Sequence, residues 1–196
     1  MRLIHKITFP LIYFFNLWGN GSGLGGTKEY CKGFIPFFQE YLRKNRIKSI
    51  FDVGCGDWQF FSQINLDRIN YTGIDVSKKM ISSNTKKYGK ENIIFKKADF
   101  LELDILPKAD LLIIKDVLQH WTRKDIEKFL KKTNQYKKVL IISNVLDRVT
   151  KKKLNKDIYV GGQYRPLDLR APPYNIKANQ IFKYNDSSVL LIEHKL

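Results

Sequence analysis

The stretch Ser49-Ile50-Phe51-Asp52-Val53-Gly54-Cys55-Gly56-Asp57-Trp58 decides how the rest of the chain is read. Ile50, Phe51 and Val53 form an apolar run of strand length with residues that favour extended backbone. Gly54 and Gly56 follow at once, and glycines there allow positive φ and close approach of backbone to a ligand. Asp52 stands just before the turn. In an open α/β sheet, ligands bind outside the carboxyl ends of the strands, so an acid followed by G-x-G at a strand end marks a candidate binding site.

Outward from this stretch the alternation continues. Asp57 to Ile64 reads as a helix, Tyr71-Thr72-Gly73-Ile74 as a second strand ending at Asp75-Val76-Ser77, and Ser77 to about Tyr88 as a helix. Asp75 lies about 20 residues beyond the turn, where a ribose-binding acid belongs in such folds. A third strand, Asn92 to Lys97, ends at Ala98-Asp99-Phe100, an acid beside an aromatic ring that suits an exocyclic amine and a purine face. Asp110 to Ile114 is a continuous apolar run, as in a strand buried on both faces, and leads into Lys115-Asp116-Val117-Leu118-Gln119-His120-Trp121. A helix from Arg123 to Lys132 and a fifth strand, Lys138 to Ser143, follow. Gln180 to Tyr184 and Ser188 to Glu193 flank an Asn-Asp turn and read as an antiparallel hairpin. The pattern is that of a doubly wound α/β domain.

Upstream, Lys28 to Lys48 reads as an amphipathic helix with Tyr30, Phe34, Phe37 or Phe38, Tyr41 and Leu42 on one face, and Pro36 kinking it or splitting it in two. Gly21-Ser22-Gly23-Leu24-Gly25-Gly26-Thr27 is a linker or a lid near the sheet; it follows no strand and so is not a phosphate loop. Met1 to Asn20 opens like a signal peptide but has no A-x-A-like cleavage site, and its apolar run is too short to span a bilayer. An arm packing on the domain is expected, with peripheral membrane contact through Phe9, Phe14, Phe15 and Trp18 as a second reading. Residues 1–27 thus form an arm and lid, and 28–196 a single domain.

Composition narrows the classes. A chain of 196 residues with 43% hydrophobic and 13% aromatic residues builds one domain with a real core. The net charge of +16 and pI near 9.7 come mostly from scattered lysine, including Lys151-Lys152-Lys153, which reads as solvated surface before it reads as a nucleic-acid stripe. Two cysteines, Cys31 and Cys55, make no disulfide framework, and a reducing, cytoplasmic setting is expected.

Four segments together, FDVGCGDW (51–58), YTGIDVS (71–77), KADF (97–100) and IIKDVLQHW (113–121), resemble class I S-adenosylmethionine-dependent methyltransferases in order and spacing. The resemblance implies a Rossmann-like, mostly parallel seven-stranded sheet with a C-terminal antiparallel hairpin, and S-adenosylmethionine as cofactor. It implies that Gly54 and Gly56 pack on the cofactor, that Asp52 lies near its amino group, and that Asp75 binds the ribose and Asp99 the adenine amine. Cys55, Trp58, Val76, Phe100, Asp116 and Val117 belong to the same cofactor site. Trp58 departs from the third glycine of many members, which puts the contacts of that turn in doubt. A nicotinamide dehydrogenase would need glycine where Gln59 stands. GGQYRPLDLRAPPYN (161–175) with GSGLGGT (21–27) is similar to small bacterial methyltransferases associated with polysaccharide and sugar modification. Ala171-Pro172-Pro173-Tyr174 mimics the Asn/Asp-Pro-Pro-Tyr/Phe loop of amino-methylating enzymes, but it follows the wrong strand and begins with alanine.

These readings converge on O-methylation of a small acceptor, a sugar or nucleotide-activated sugar of a surface polysaccharide. His120 is the candidate base, with an orienting role of a His in this place as its rival; Asp116 is its companion. Tyr164, Arg165 and Arg170 are candidates to hold the acceptor, the arginines by gripping an anion bidentately. No metal is expected, and oligomeric state is open. The alternative is an RNA-associated methyltransferase or a non-catalytic cofactor-binding subunit.

Overall fold

A computed structural model describes residues 3–15, 17, 19, 21–145, 154–159 and 163–195, with the backbone alone described for residues 3–7. The expectations placed on Trp18, Lys151 to Lys153 and Gly161-Gly162 lie outside these residues. The strands are β1 (Ser49–Val53), β2 (Asn70–Asp75), β3 (Ile93–Lys97), β4 (Leu111–Lys115), β5 (Lys138–Asn144), β6 (Asn179–Tyr184) and β7 (Ser187–Glu193). They form one sheet in the order β3-β2-β1-β4-β5-β7-β6. Its first five strands run parallel, β7 pairs antiparallel with β5, and β6 antiparallel with β7. The seven-stranded, mostly parallel sheet with a closing hairpin is therefore present, the hairpin turning at Asn185 with φ 46°.

Period-two alternation sorts the apolar side chains onto two faces. Ile50, Leu111, Ile113, Leu140 and Ile142 enter one core, while Phe51, Val53, Leu112, Ile114, Val139 and Ile141 enter the other. Both faces are covered, which is why β4 and β5 read as unbroken apolar runs. The strand order reverses between β1 and β4, and the crevice at their carboxyl ends is the switch point where such sheets bind ligands.

The helices are α1 (Leu3–Phe14), α2 (Lys28–Cys31), α3 (Phe34–Lys44), α4 (Lys78–Tyr88) and α5 (Arg123–Thr133). Ser77 caps α4 by accepting from the Met80 amide, and Thr122 caps α5 by accepting from the Asp125 amide. Lysines end both helices, against the negative end of the helix dipole. Among the described residues no helix is long and apolar enough to cross a membrane.

One open reading is resolved and one expectation corrected. Of the two readings of segment 28–48, the split is the one present: it breaks at Lys32-Gly33 into α2 and α3, and α3 ends at Lys44. Pro36 has no amide for the Lys32 carbonyl, and its ring would collide with that carbonyl in a continuous helix. Residues 57–64 do not form the expected α-helix; Trp58 is left-handed at φ 62°, and only a single 3-10 turn, Phe61–Gln63, follows. Trp58, Phe60, Phe61 and Ile64 are instead spent on the core.

Phe34, the first residue of α3, is the hub of that core. Its ring is fully buried and stacks on Tyr184 at 4.8 Å and Phe60 at 5.2 Å, joining α3 to the hairpin and to the segment after β1. We expect Phe34→Ala to cost about 3–5 kcal/mol in urea unfolding. Ile94→Ala, at a side chain 44% exposed, should stay within about 0.5 kcal/mol.

Candidate active site

The turn after β1 is fixed by its neighbour strand. The Gly54 and Cys55 amides both donate to the Ile74 carbonyl, at 2.8 and 3.0 Å. Gly54 and Gly56 have φ of 75° and 52°, where an L side chain is strained. A Cβ on Gly54 would stand 2.5 Å from Val117 Cγ2, and one on Gly56 2.8 Å from Ser22 Cβ. Trp58 takes the same left-handed backbone without being glycine. Its indole is buried against Tyr88 at 4.7 Å, Phe95 at 5.4 Å and Tyr71 at 5.5 Å, contacts that offset the strain.

Acids converge on this turn. Asp75 ends β2 and is buried; its carboxylate accepts from the Gly56 amide at 3.1 Å and the Ser77 amide at 2.8 Å. Burial pushes its pKa up to about 6, against the pull of those amides. Asp52 occupies a core-facing position in β1. The register that pairs Ile50 with Tyr71 sets the Tyr71 ring on the same face, where its hydroxyl donates to Asp52. Burial raises Asp52 to about 7, opposed by that hydrogen bond and reinforced by the charge of Asp75. Asp99, at the end of β3, caps a short 3-10 turn by accepting from the Leu101 amide at 3.0 Å.

After β4 the chain turns sharply, with Asp116 at φ 57°. Lys115 is buried, and its ammonium donates to Asp116 and to the Gly25 carbonyl. Burial works against the charge on Lys115, but the Asp116 carboxylate prevails and holds it above the ordinary lysine range. His120 lies at the end of the next 3-10 turn, its Nδ1 3.0 Å from the Gln163 carbonyl oxygen.

These residues line one cavity with an empty volume of about 1040 Å³, open to solvent at its mouth. Asp52, Gly54, Cys55, Gly56, Trp58, Asp75, Val76, Asp99, Phe100, Asp116, Val117 and His120 all reach it, so the segments chosen from the sequence meet in space. Several participants were given no role in the site by the sequence. Tyr71 and Lys115 hold Asp52 and Asp116, Asn84 of α4 donates to the Gly56 carbonyl at 2.8 Å, and Phe9 and Tyr13 of α1 add to the wall. The glycine-rich segment lies over the site: Ser22 donates to Asp57 through its amide (2.9 Å) and hydroxyl (2.6 Å), and a Cβ on Gly25 would meet Asp116 Oδ2 at 2.3 Å.

The expected anion grip is not assembled. Arg165 is buried outside the cavity and donates to the Trp121 carbonyl at 2.6 Å and to the Tyr174 hydroxyl at 3.3 Å. Arg170 binds Asp168 through Nε and Nη2, at 3.0 and 2.9 Å. Arg165 thus ties its loop to the segment after β4, and Arg170 serves the loop that carries it. Tyr164 is half exposed, with its ring centroid 6.0 Å from that of His120 but not on the cavity wall.

Residues 51–138 match a family described as Methyltransferase domain. Among solved structures the chain is similar to human N-acetylserotonin methyltransferase in complex with SAM (17% identity, TM-score 0.58, 83% of this chain and 55% of that one). It is also similar to a S-adenosylmethionine-dependent methyltransferase from Clostridium acetobutylicum (15%, 0.60, 83% and 91%) and to an O-methyltransferase family protein from Burkholderia thailandensis (12%, 0.62, 84% and 56%). The chain spans only about half the length of the human and Burkholderia proteins. At these identities the likeness is one of fold. No curated protein matches the sequence.

The lining suits S-adenosylmethionine, the cofactor of these domains. The glycines let Val117 and Ser22 close onto the turn on the cavity wall, where any Cβ would collide with them, and Phe100, Leu101 and Val117 offer apolar surface for an adenine. The described lining carries five aspartates against one lysine, Lys115, already committed to Asp116. That balance fits a sulfonium and an ammonium and does not fit a pyrophosphate.

An alanine in the left-handed turn costs on the order of 1–2 kcal/mol before the Val117 collision is counted. Gly54→Ala should therefore weaken S-adenosylhomocysteine binding about tenfold or more by calorimetry. The raised acids also make the ligand-free protein pH-sensitive. Between about pH 4 and 7 the unfolded chain's carboxyls ionise while Asp52 and Asp75 hold their protons, so unfolding releases protons and stability falls as pH rises. Thermal melts across that window should show the fall, and it should be shallower in Asp52→Asn.

Proposed function

We propose that this S-adenosylmethionine-dependent methyltransferase is an O-methyltransferase for a small hydroxyl-bearing acceptor, with His120 as its general base. The observation that carries the reading is the setting of His120, on the cavity wall beside Asp116 and tied by Nδ1 to a backbone carbonyl. A carbonyl accepts only from an N–H, so Nδ1 carries the proton and Nε2 is the basic nitrogen.

The bound cofactor supplies an electrophilic methyl group on a sulfonium. Asp52 and Asp75 would hold its ammonium and ribose ends, with Asp99 toward the adenine amine. Phe9, Tyr13 and Trp121 narrow the cavity and exclude water from the transfer. Alignment of acceptor and methyl supplies up to about 7–11 kcal/mol in favourable intramolecular cases, and Nε2 of His120 takes the hydroxyl proton as the oxygen attacks. Residues 1–27 act as arm and lid over the domain at 28–196, a reading supported by the Ser22–Asp57 and Lys115–Gly25 hydrogen bonds.

Neighbours of the same fold that are described as O-methyltransferases support oxygen as the acceptor atom, the mitomycin 7-O-methyltransferase MmcR among them (TM-score 0.59, 18% identity). The resemblance of 161–175 to sugar-modifying enzymes makes sugars of surface polysaccharides the first acceptors to try. Since Arg165 and Arg170 are engaged by Trp121, Tyr174 and Asp168, the bare sugar is preferred to a nucleotide-linked one.

The test is methyl transfer from labelled S-adenosylmethionine to a panel of sugars, with the methyl located in the product by NMR. An O-methyl ether is expected, and transfer confined to amine acceptors would overturn the reading. His120→Ala should lower kcat about 10²–10⁴-fold and remove the acidic limb of its pH profile. A kcat unchanged across pH would eliminate His120 as the base.

A further inference from the structure

Helix α1 presents apolar side chains on opposite sides. Phe9, Ile12 and Tyr13, spaced i, i+3 and i+4, turn toward the domain: Phe9 and Ile12 are buried, and Phe9 and Tyr13 line the cavity. Leu11, Phe14 and Phe15 repeat that spacing on the far side and are 46%, 66% and 63% exposed, with Leu17 beyond them 67% exposed. Phe9, which the sequence grouped with the outward aromatics, belongs to the inward set. A helix apolar all round is ordinarily covered on all sides. Four large apolar side chains gathered at one place also exceed the scatter of single exposed hydrophobics that protein surfaces carry.

The two helices that carry and flank this stripe bring basic and no acidic side chains. The sequence has no acidic residue before Glu29. Helix α4, against which α1 packs, exposes Lys78, Lys79, Lys86 and Lys87 and contains no Asp or Glu. Lys79 bridges the two helices, with Nζ 5.5 Å from the centre of the Phe14 ring and donating to the Tyr13 carbonyl at 3.4 Å. Aromatic and aliphatic tips with lysine on the adjoining helix are the chemistry that inserts at the boundary between headgroups and acyl chains of an anionic bilayer. With only 12 residues, α1 would lie in the plane of the interface and not across it.

We infer that the outward face of α1 and the turn just after it, formed by Leu11, Phe14, Phe15 and Leu17 and joined by the exposed lysines of the adjoining α4, docks on an anionic phospholipid bilayer. The diffuse lysine charge favours a lipid surface over a protein groove, because it sets no fixed geometry for a partner's acids to match. The inference stands on this surface alone and does not depend on which acceptor the enzyme uses.

Flotation of the full chain with phosphatidylcholine–phosphatidylglycerol vesicles, and with phosphatidylcholine vesicles, tests it. The protein should float with the phosphatidylglycerol vesicles and be released as salt is raised. Phe14→Ser with Phe15→Ser should weaken that binding about tenfold or more, with S-adenosylhomocysteine binding as the control for folding. Replacing Lys78, Lys86 and Lys87 by Gln, an exposed change that leaves the Lys79 contacts with Tyr13 and Phe14 in place, should weaken it as well. Flotation with neither kind of vesicle, equal flotation with both, or vesicle binding untouched by either variant would overturn the inference. So would self-association abolished by the phenylalanine substitutions, since a second copy would then cover this face.

Discussion

The backbone of Gly54-Cys55-Gly56, pinned to the end of β2, is the constraint on which the site depends. The Ile74 carbonyl takes two amides of the turn, the Asp75 carboxylate takes a third, and Asn84 reaches from α4 to the Gly56 carbonyl. Three groups from two elements, β2 and α4, thus hold one stretch of left-handed backbone. Loosen it and the crevice between β1 and β4 loses its floor, because Val117 and Ser22 rest where side chains on those glycines would be. The missing side chains let Val117 and Ser22 pack directly on the turn, and the hydrogen bonds hold it in the left-handed backbone that this packing requires.

A second consequence is electrostatic. Asp75 spends its lone pairs on backbone amides and Asp52 on a tyrosine hydroxyl, so neither meets a full positive charge of its own. Lys115, the nearest ammonium, is taken by Asp116 and the lid carbonyl. Buried acids paired only with neutral donors sit high on the pH scale and are stabilised by an incoming cation. The site is therefore least content when empty, and the cost is a ligand-free protein that favours protonated acids. Lys115 also joins the glycine-rich segment to the end of β4, next to the loop that carries His120.

Most of the sheet was legible because burial on both faces writes unbroken apolar runs, and because acids at strand ends break them. β4 and β5 are the clearest cases, each matched by the structure to within a residue or so. Trp58 misled in an instructive way. By composition, Asp57 to Ile64 has no helix breaker, yet Trp58 adopts the conformation of the glycine it replaces, because Tyr71, Tyr88 and Phe95 converge around the indole. Those rings come from two other strands and a helix, and no local pattern announces them. Arg165 and Arg170 misled for a related reason: a guanidinium in a loop of Pro and Gly looks poised for a ligand until Trp121, Tyr174 and Asp168 are seen to engage it.

What the sequence determined by itself was the fold, the order of its strands' acids and glycines, and through them the kind of cofactor, since periodicity and turn chemistry are local and parallel strands in register bring their ends together. Tertiary structure alone decided which groups those residues meet: Tyr71 on Asp52, Lys115 between Asp116 and the lid, and α1 with one face in the cavity and the other turned outward. Charge states, partners and exposure depend on distances between segments far apart in the chain, and hydrophobic spacing records that a side chain is apolar without recording what covers it.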